Sequence, residues 1–390
     1  MNTPNDLNIL WITERYPPLA GGMAVSAHRQ VSFLRTRDIM VDVLVITNSD
    51  KKGLDLKRVS RDGGTDIFLT HGDDYGNAAQ RAFRDIAGFH ENKPYHMVLG
   101  FGANFPGYLA VTVAAFLGIP SLVSVRGNDF DRDWFEPKRA MFVQEALGRA
   151  DRICAVSREK VRKIQALFPG KHVAWSPNGV DATRYELLPS EQDESSQIRA
   201  RLNGQGKRII GIFGEMKFKK QIPEFLAALR EQGLKDKVSL LVTGRMDEEC
   251  HALLGDQALS PTSCHLSFRD PETLPPLYGA CDFVAIPSLF EGFPNVLLEA
   301  MAAGVIPIVS DAGAMGDVIS HGATGFLFKR LNRKDSGKAL VQALALSDED
   351  LGQMKTRVKQ VAIDQFSPER EGHVLENEIR NTVLGSLSRH

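Results

Sequence analysis

The chain has 390 residues, of which 43% are hydrophobic and 24% charged, an ordinary globular composition that is too long for one hydrophobic core. Its formal net charge of −1 excludes the global basic field expected of a nucleic-acid binder. No stretch approaches the roughly 18 uninterrupted apolar residues of a membrane-spanning helix, and Cys154, Cys250, Cys264 and Cys281 are scattered without metal-ligand spacing, which predicts reduced, mostly buried thiols.

Residues 1–15 lack the basic start and long apolar stretch of a secretory signal, so a cytoplasmic protein is expected. Residues 8–12, 41–47, 97–100, 121–125 and 153–156 are short, rich in Val, Ile and Leu, and bounded by turn residues; they predict buried strands. Helical stretches lie between them. In 24–37, Ala24, Ala27, Val31 and Leu34 form a stripe at helical spacing. Alternating strand and helix implies an α/β domain with a parallel sheet covered on both faces. Residues 187–206 are rich in Glu, Gln, Ser and Asp and predict a linker.

A second series follows. Residues 208–213, 238–243, 265–268, 283–286 and 305–309 predict strands, and 222–230 a helix with Ile222, Phe225, Leu226 and Leu229 on one face. The expected organisation is a first α/β domain over 1–186, the linker 187–206, a second α/β domain over 207–365, and a final helical segment 366–390 that packs back on the first domain. Open parallel sheets bind ligands at the C-terminal ends of their strands, so a cleft between two such sheets is the expected site.

Four stretches carry the chemistry. Gly21-Gly22 follows the first strand, where the absence of a Cβ lets backbone approach a ligand. Arg126-Gly-Asn-Asp-Phe-Asp-Arg-Asp133 follows the 121–125 strand. Asp129, Asp131 and Asp133 invite a metal reading, but a calcium loop needs glycine at its sixth position and glutamate at its twelfth, and Trp134 and Ala140 stand there. Phe213-Gly-Glu215-Met-Lys217-Phe-Lys219-Lys220-Gln221 joins a strand to a helix start, a place for either a phosphate or an exposed basic loop. Glu291-Gly-Phe-Pro-Asn-Val-Leu-Leu-Glu299 sets two carboxylates around a helix start, with Asn295 the expected N-cap. Backbone N–H groups near Val296 and Leu297 would face an anion. Glu299, one turn in, could accept hydrogen bonds from a ribose diol. Either glutamate alone would read as a solvated residue beside a capped helix; the whole string does not.

In order along the chain, these stretches resemble the retaining glycosyltransferases of family 4, which have the GT-B fold of two Rossmann-like domains. The resemblance is carried by Tyr16-Pro-Pro-Leu-Ala-Gly21-Gly22, Asp151-Arg-Ile-Cys-Ala-Val-Ser157, Pro177-Asn-Gly-Val-Asp181, Pro287-Ser288, the string from Glu291 to Glu299, Gly313 and His321-Gly-Ala-Thr-Gly325. It implies a metal-independent hexosyl- or related glycosyltransferase. Its co-substrate would be a nucleotide-diphosphate sugar of UDP or GDP type, with no other cofactor. The acceptor hydroxyl would belong to a sugar, a lipid-linked glycan or a small molecule; a lipid-linked acceptor would bring peripheral membrane contact.

The resemblance implies a donor site of Gly22, Glu215, Lys219, Lys220, Glu291, Gly292, Phe293, Asn295, Val296, Leu297 and Glu299. It implies acceptor contacts at Gly21, Gly22, Asn128 and Asp129, catalytic roles for Lys220, Glu291 and Arg126, and no metal site. The chain departs from the family pattern at three places. Glu215 stands where arginine is usual, Gln221 where glycine is usual, and Arg126 where histidine is usual. Lys217 or Lys219 is left to supply the missing charge, and Arg126 either compensates for Glu215 or pairs with Asp129 or Asp131. Two other classes suit the same scaffold: a nucleotide-sugar epimerase, and a weakly catalytic nucleotide-sugar-binding subunit, which Glu215 would favour.

Overall fold

A computed structural model of the chain describes residues 7–19, 21–48, 56–71, 75–202, 206–255, 262–267 and 269–387. Residues 1–6, Ala20 of the glycine-rich loop, residues 203–205 of the expected linker, Phe268 at the end of an expected strand, and 388–390 lie outside them. The chain forms two compact units: Met1–Asn178 with Pro368–His390, and Gly179–Ser367.

The first unit is built on an eight-stranded sheet. Its strands are β1 (Asn8–Thr13), β2 (Met40–Asn48), β3 (Leu56–Arg61), β4 (Gly64–His71), β5 (Met97–Phe101), β6 (Ser121–Val125), β7 (Arg152–Ala155) and β8 (Val173–Trp175), in the order β3-β4-β2-β1-β5-β6-β7-β8. The expected strands are all present. β3 and β4 correct the expectation of an all-parallel sheet, because they pair antiparallel at its edge, Ser60 against Thr65 and Arg61 against Gly64. Asp62-Gly63 makes the tight turn between them. Gly63 sits at φ 78°, the left-handed region such a turn requires.

The helix Gly22–Arg35 buries Ala24, Ala27, Val31 and Leu34 against the sheet. On the same face, the helix Pro368–Leu387 buries Leu375, Ile379 and Val383 beside Trp11 and Val43. Each such side chain contributes roughly 1.5–3 kcal/mol of burial. Polar groups fix the register: Glu371 accepts from Arg29 and Gln30 of the Gly22–Arg35 helix.

The second unit holds a wholly parallel sheet of β9 (Arg208–Phe213), β10 (Val238–Thr243), β11 (Thr262–Leu266), β12 (Phe283–Ile286), β13 (Ile306–Ser310) and β14 (Phe326–Phe328), ordered β11-β10-β9-β12-β13-β14. β11 begins three residues earlier than expected. The helix Ile222–Glu231 buries Ile222, Phe225, Leu226 and Leu229 as predicted.

The expected linker is mostly a helix, Pro189–Leu202, packed within this unit. Arg199 donates to Asp282, whose fully buried carboxylate also takes Lys355 and the Ile209 N–H. Glu, Gln, Arg and Ala are good helix formers. The segment's few apolar residues reflect shallow burial, not disorder. All four cysteines are free thiols, with Cys154, Cys250 and Cys281 buried. No helix among the described residues is long and apolar enough to cross a membrane.

Candidate functional site

In the second unit the chain runs outward from β9 through β10 to β11, then returns to β12 on the other side of β9. The sheet therefore has its topological switch point between β9 and β12, where ligands bind open α/β sheets. Both sequence-predicted donor stretches leave the sheet there. After β9, Lys219 and Lys220 lie in the short 3-10 helix Phe218–Lys220. After β12, Glu291 lies in the loop that precedes the helix Asn295–Ala302.

The structure brings them together. Lys220 Nζ donates to Glu291 Oε1 at 2.7 Å and Lys219 Nζ to Oε2 at 3.3 Å, while Ser288 Oγ donates to Oε1 at 3.0 Å. Glu291 is buried, at 8% exposure. That burial, the strongest single influence, pushes its carboxyl pKa upward. The charges of Lys220 and Lys219 and the hydrogen bonds from Lys220 and Ser288 outweigh it, and hold the pKa down to about 2. Burial also lowers the Lys219 pKa, against the opposing pull of Glu291. Two ammonium groups around one carboxylate leave a net positive charge of one on the cluster.

Backbone ties hold these loops in register. The Leu289 N–H donates to the Lys219 carbonyl at 2.8 Å, and the Ala314 N–H to the Gly292 carbonyl at 2.9 Å. Gly313, at φ 58°, permits the second tie. A Cβ there would lie 2.3 Å from the Glu291 carbonyl oxygen. Arg330, after β14, donates to the Leu289 carbonyl and to Asp311, joining the loops after β12, β13 and β14. Arg330 carries no pattern of its own as a donor-site residue; Ser288 belongs to the Pro287-Ser288 piece of the resemblance, but its contact with Glu291 was not anticipated.

Several expectations need correction. Asn295 is not the N-cap: Pro294 holds that position, and Asn295 is the first helical residue. The Leu297 N–H is already used, donating to the Pro294 carbonyl at 3.1 Å, which leaves Val296 as the expected anion-facing position. Phe293 packs its buried ring edge-on against Phe366, centroids 5.2 Å apart. Glu215 is exposed and pairs with Lys217 at 2.6 Å. That hydrogen bond is the leading cause of its lowered pKa, with Arg245 and Lys219 adding to it. Gln221 adopts φ 50°, which explains why glycine is the natural residue there. Glu299 lies one turn into its helix, and Tyr278, which sequence reasoning missed, donates its hydroxyl to Oε2 at 2.8 Å.

In the first unit, Gly21 precedes the Gly22–Arg35 helix at φ 123°, and a Cβ on it would meet nothing within 4 Å. Arg126 is buried, and it meets Asp129 through its backbone N–H. Its guanidinium donates to Asn178 and Ser124 and stacks 4.6 Å over the Phe101 ring. Burial lowers its pKa to about 10, while Glu371 and Asp129 pull it back up. Asp129 pairs with its backbone instead: the carboxylate accepts the N–H groups of Ala103, Arg126 and Gly127. This braces the loop that carries Asn128, where acceptor contacts are expected. Asp131 takes Lys160 at 2.7 Å, and Asp133 takes Asn104, Arg132 and Arg139. The three aspartates thus serve three separate partner sets. Among the described residues no group of three or more His, Cys, Asp or Glu side chains converges on a common point.

The comparisons with known proteins agree with this layout. The family model described as Glycosyltransferase Family 4 matches residues 20–184, and that described as Glycosyl transferases group 1 matches 193–361. The chain is 27% identical over 210 residues to the D-inositol 3-phosphate glycosyltransferase of Nocardia farcinica, covering 50% of this chain and 46% of that protein. It thus spans about half the length of that relative. An uncharacterized glycosyltransferase of Methanocaldococcus jannaschii is 22% identical over 347 residues, covering 82% of this chain and 84% of its own. Among solved structures, Anabaena HepE in complex with UDP superposes with a TM-score of 0.76 at 17% identity, covering 96% of this chain and all of that one.

Proposed function

The chain belongs to the family 4 glycosyltransferases, and from that premise we propose that it transfers a sugar from a nucleoside-diphosphate sugar to an acceptor hydroxyl with retention of anomeric configuration. Its two parallel-sheet units are those of the GT-B fold. The observation that carries the reading is the Lys219–Lys220–Glu291 cluster at the β9/β12 switch point, beside the start of the Asn295–Ala302 helix. Two ammonium groups and a helix N-terminus suit a dianionic leaving group.

On this reading Lys219 and Lys220 neutralise the diphosphate as the glycosidic bond breaks. The acceptor oxygen attacks from the face the diphosphate leaves, and a departing phosphate oxygen takes its proton. Glu291 accepts hydrogen bonds from sugar hydroxyls while holding the lysines in place. Glu299 accepts those of the ribose. Arg126 and Asp129 shape the first unit from within its core. The UDP complex of the Anabaena protein supports a donor of this class.

The test is turnover. The protein is incubated with UDP- and GDP-sugars, an acceptor extract and EDTA, and free nucleoside diphosphate and glycosylated product are measured. Both are expected to form, with product of the donor's anomeric configuration. A changed nucleotide-sugar made without acceptor, or turnover that stops in EDTA and returns with magnesium or manganese, would overturn the reading.

A further inference from the structure

Tyr278 lies in a five-residue helix, Pro275–Gly279, opened by two prolines. It is fully buried, and its ring is held on two sides. It stacks on Phe213, the last residue of β9, with centroids 4.2 Å apart, and meets Tyr185 edge-on at 5.8 Å. Its hydroxyl reaches Glu299 Oε2 at 2.8 Å across 21 residues of sequence. The Pro275–Gly279 helix is braced in turn by the segment expected to be a linker. Gly279 packs so closely that an added Cβ would lie 2.7 Å from Leu187 and 3.0 Å from Ser195.

A half-buried glutamate carboxylate at the end of three rotatable bonds has many orientations, and restricting them costs affinity when a ligand must do it. A vicinal diol can donate two hydrogen bonds to one carboxylate, and that pairing is strongest when the carboxylate is already oriented. Tyr278 orients it. Burial, and next the neighbouring Glu299 charge, raise the phenol pKa well above 10, so the hydroxyl remains a donor throughout the range in which the protein is handled.

We infer that Tyr278 is a positioning residue that holds Glu299 for the ribose diol of the donor and so makes the site select ribonucleotides over nucleotides lacking the 2′- and 3′-hydroxyls. The inference rests on the proposed donor reading. Calorimetry with UDP and GDP and their 2′,3′-dideoxy counterparts tests it on the full chain, using wild type, Tyr278→Phe, Glu299→Ala and the double variant. Tyr278→Phe keeps the stacked ring and removes one oxygen; Tyr278→Met, a second variant without the hydroxyl, guards against a folding failure of the first, and thermal melts check each.

Wild type should prefer the ribonucleotide by about tenfold or more, the value of a lost hydrogen bond to a charged group. Tyr278→Phe should weaken ribonucleotide binding roughly threefold to tenfold, raise the donor KM more than it lowers kcat, and leave dideoxynucleotide binding unchanged. Glu299→Ala should abolish the preference, and the double variant should be no worse. A folded Tyr278 variant that keeps full selectivity, or weakens both ligands equally, would overturn the inference while the donor reading stands. So would a wild type that binds both ligands equally. A wild type that binds neither nucleotide would overturn both.

Discussion

Glu291 carries its charge in a nearly dry position because Lys220, Lys219 and Ser288 hold it there. Its pKa near 2, against the usual 4.5, means the folded state binds that proton less readily than the unfolded chain. The resulting stabilisation is fully present above pH 4.5 and is lost as pH falls through about 2. The gap corresponds to roughly 3 kcal/mol, an upper figure because the buried, charged Lys219 offsets part of it. Urea melts between pH 6 and pH 2 should therefore show the second unit losing stability steeply over this window, with the slope much reduced in Glu291→Gln. Equal slopes in the two proteins would count against the charged cluster. At this scale the sequence singled out Lys220 and Glu291 each as a donor-site residue, without foreseeing the ion pair between them. It was a poor guide for residues whose partner could be backbone: nothing in Arg126-Gly-Asn-Asp129 says that the carboxylate turns inward to three N–H groups.

Elements were legible where burial was deep. β1, β5, β6, β9 and β10 are runs of Val, Ile and Leu because both their faces are covered, and their burial is complete or nearly so. The β3 strand was missed because it is an edge: Lys57, Arg58, Ser60 and Arg61 are exposed, and only the Asp62-Gly63 turn marks the hairpin. β8 and β14 are three residues each, too short for any periodicity. Tyr278 was missed because its helix is only five residues long and its partner is distant in sequence. The loops carry a sharper constraint. Gly313→Ala would demand a left-handed residue and push a Cβ to 2.3 Å from the Glu291 carbonyl, so the loop after β12 must move. This variant should lose at least about 2 kcal/mol of stability, the cost of backbone strain plus a displaced hydrogen bond, and should bind donor more weakly. Gly322→Ala, at φ 77° with open space around its Cβ, isolates the strain alone and should cost less. Equal losses from the two variants would show that the contact with the Glu291 loop is unimportant.

At the scale of the whole molecule, each unit places loops of different chemistry at its own sheet switch. In the first unit, β1 and β5 flank the switch, with Gly21 beyond the one and the braced Arg126–Asp129 turn in the loop after neighbouring β6. In the second, β9 and β12 flank it with the lysine–glutamate cluster. Resemblance in motif order anticipated this division because the motifs fall at strand ends, where an open α/β sheet exposes its ligand contacts. The central claim is that the second unit's cluster receives a nucleoside diphosphate. Isothermal titration of UDP and GDP into wild type and Lys220→Ala tests it most directly. The account predicts saturable binding of at least one nucleotide by wild type, weakened about tenfold or more in Lys220→Ala, as expected for loss of a charge-assisted contact. Binding that is absent from wild type, or equally tight in a folded Lys220→Ala protein, would contradict it.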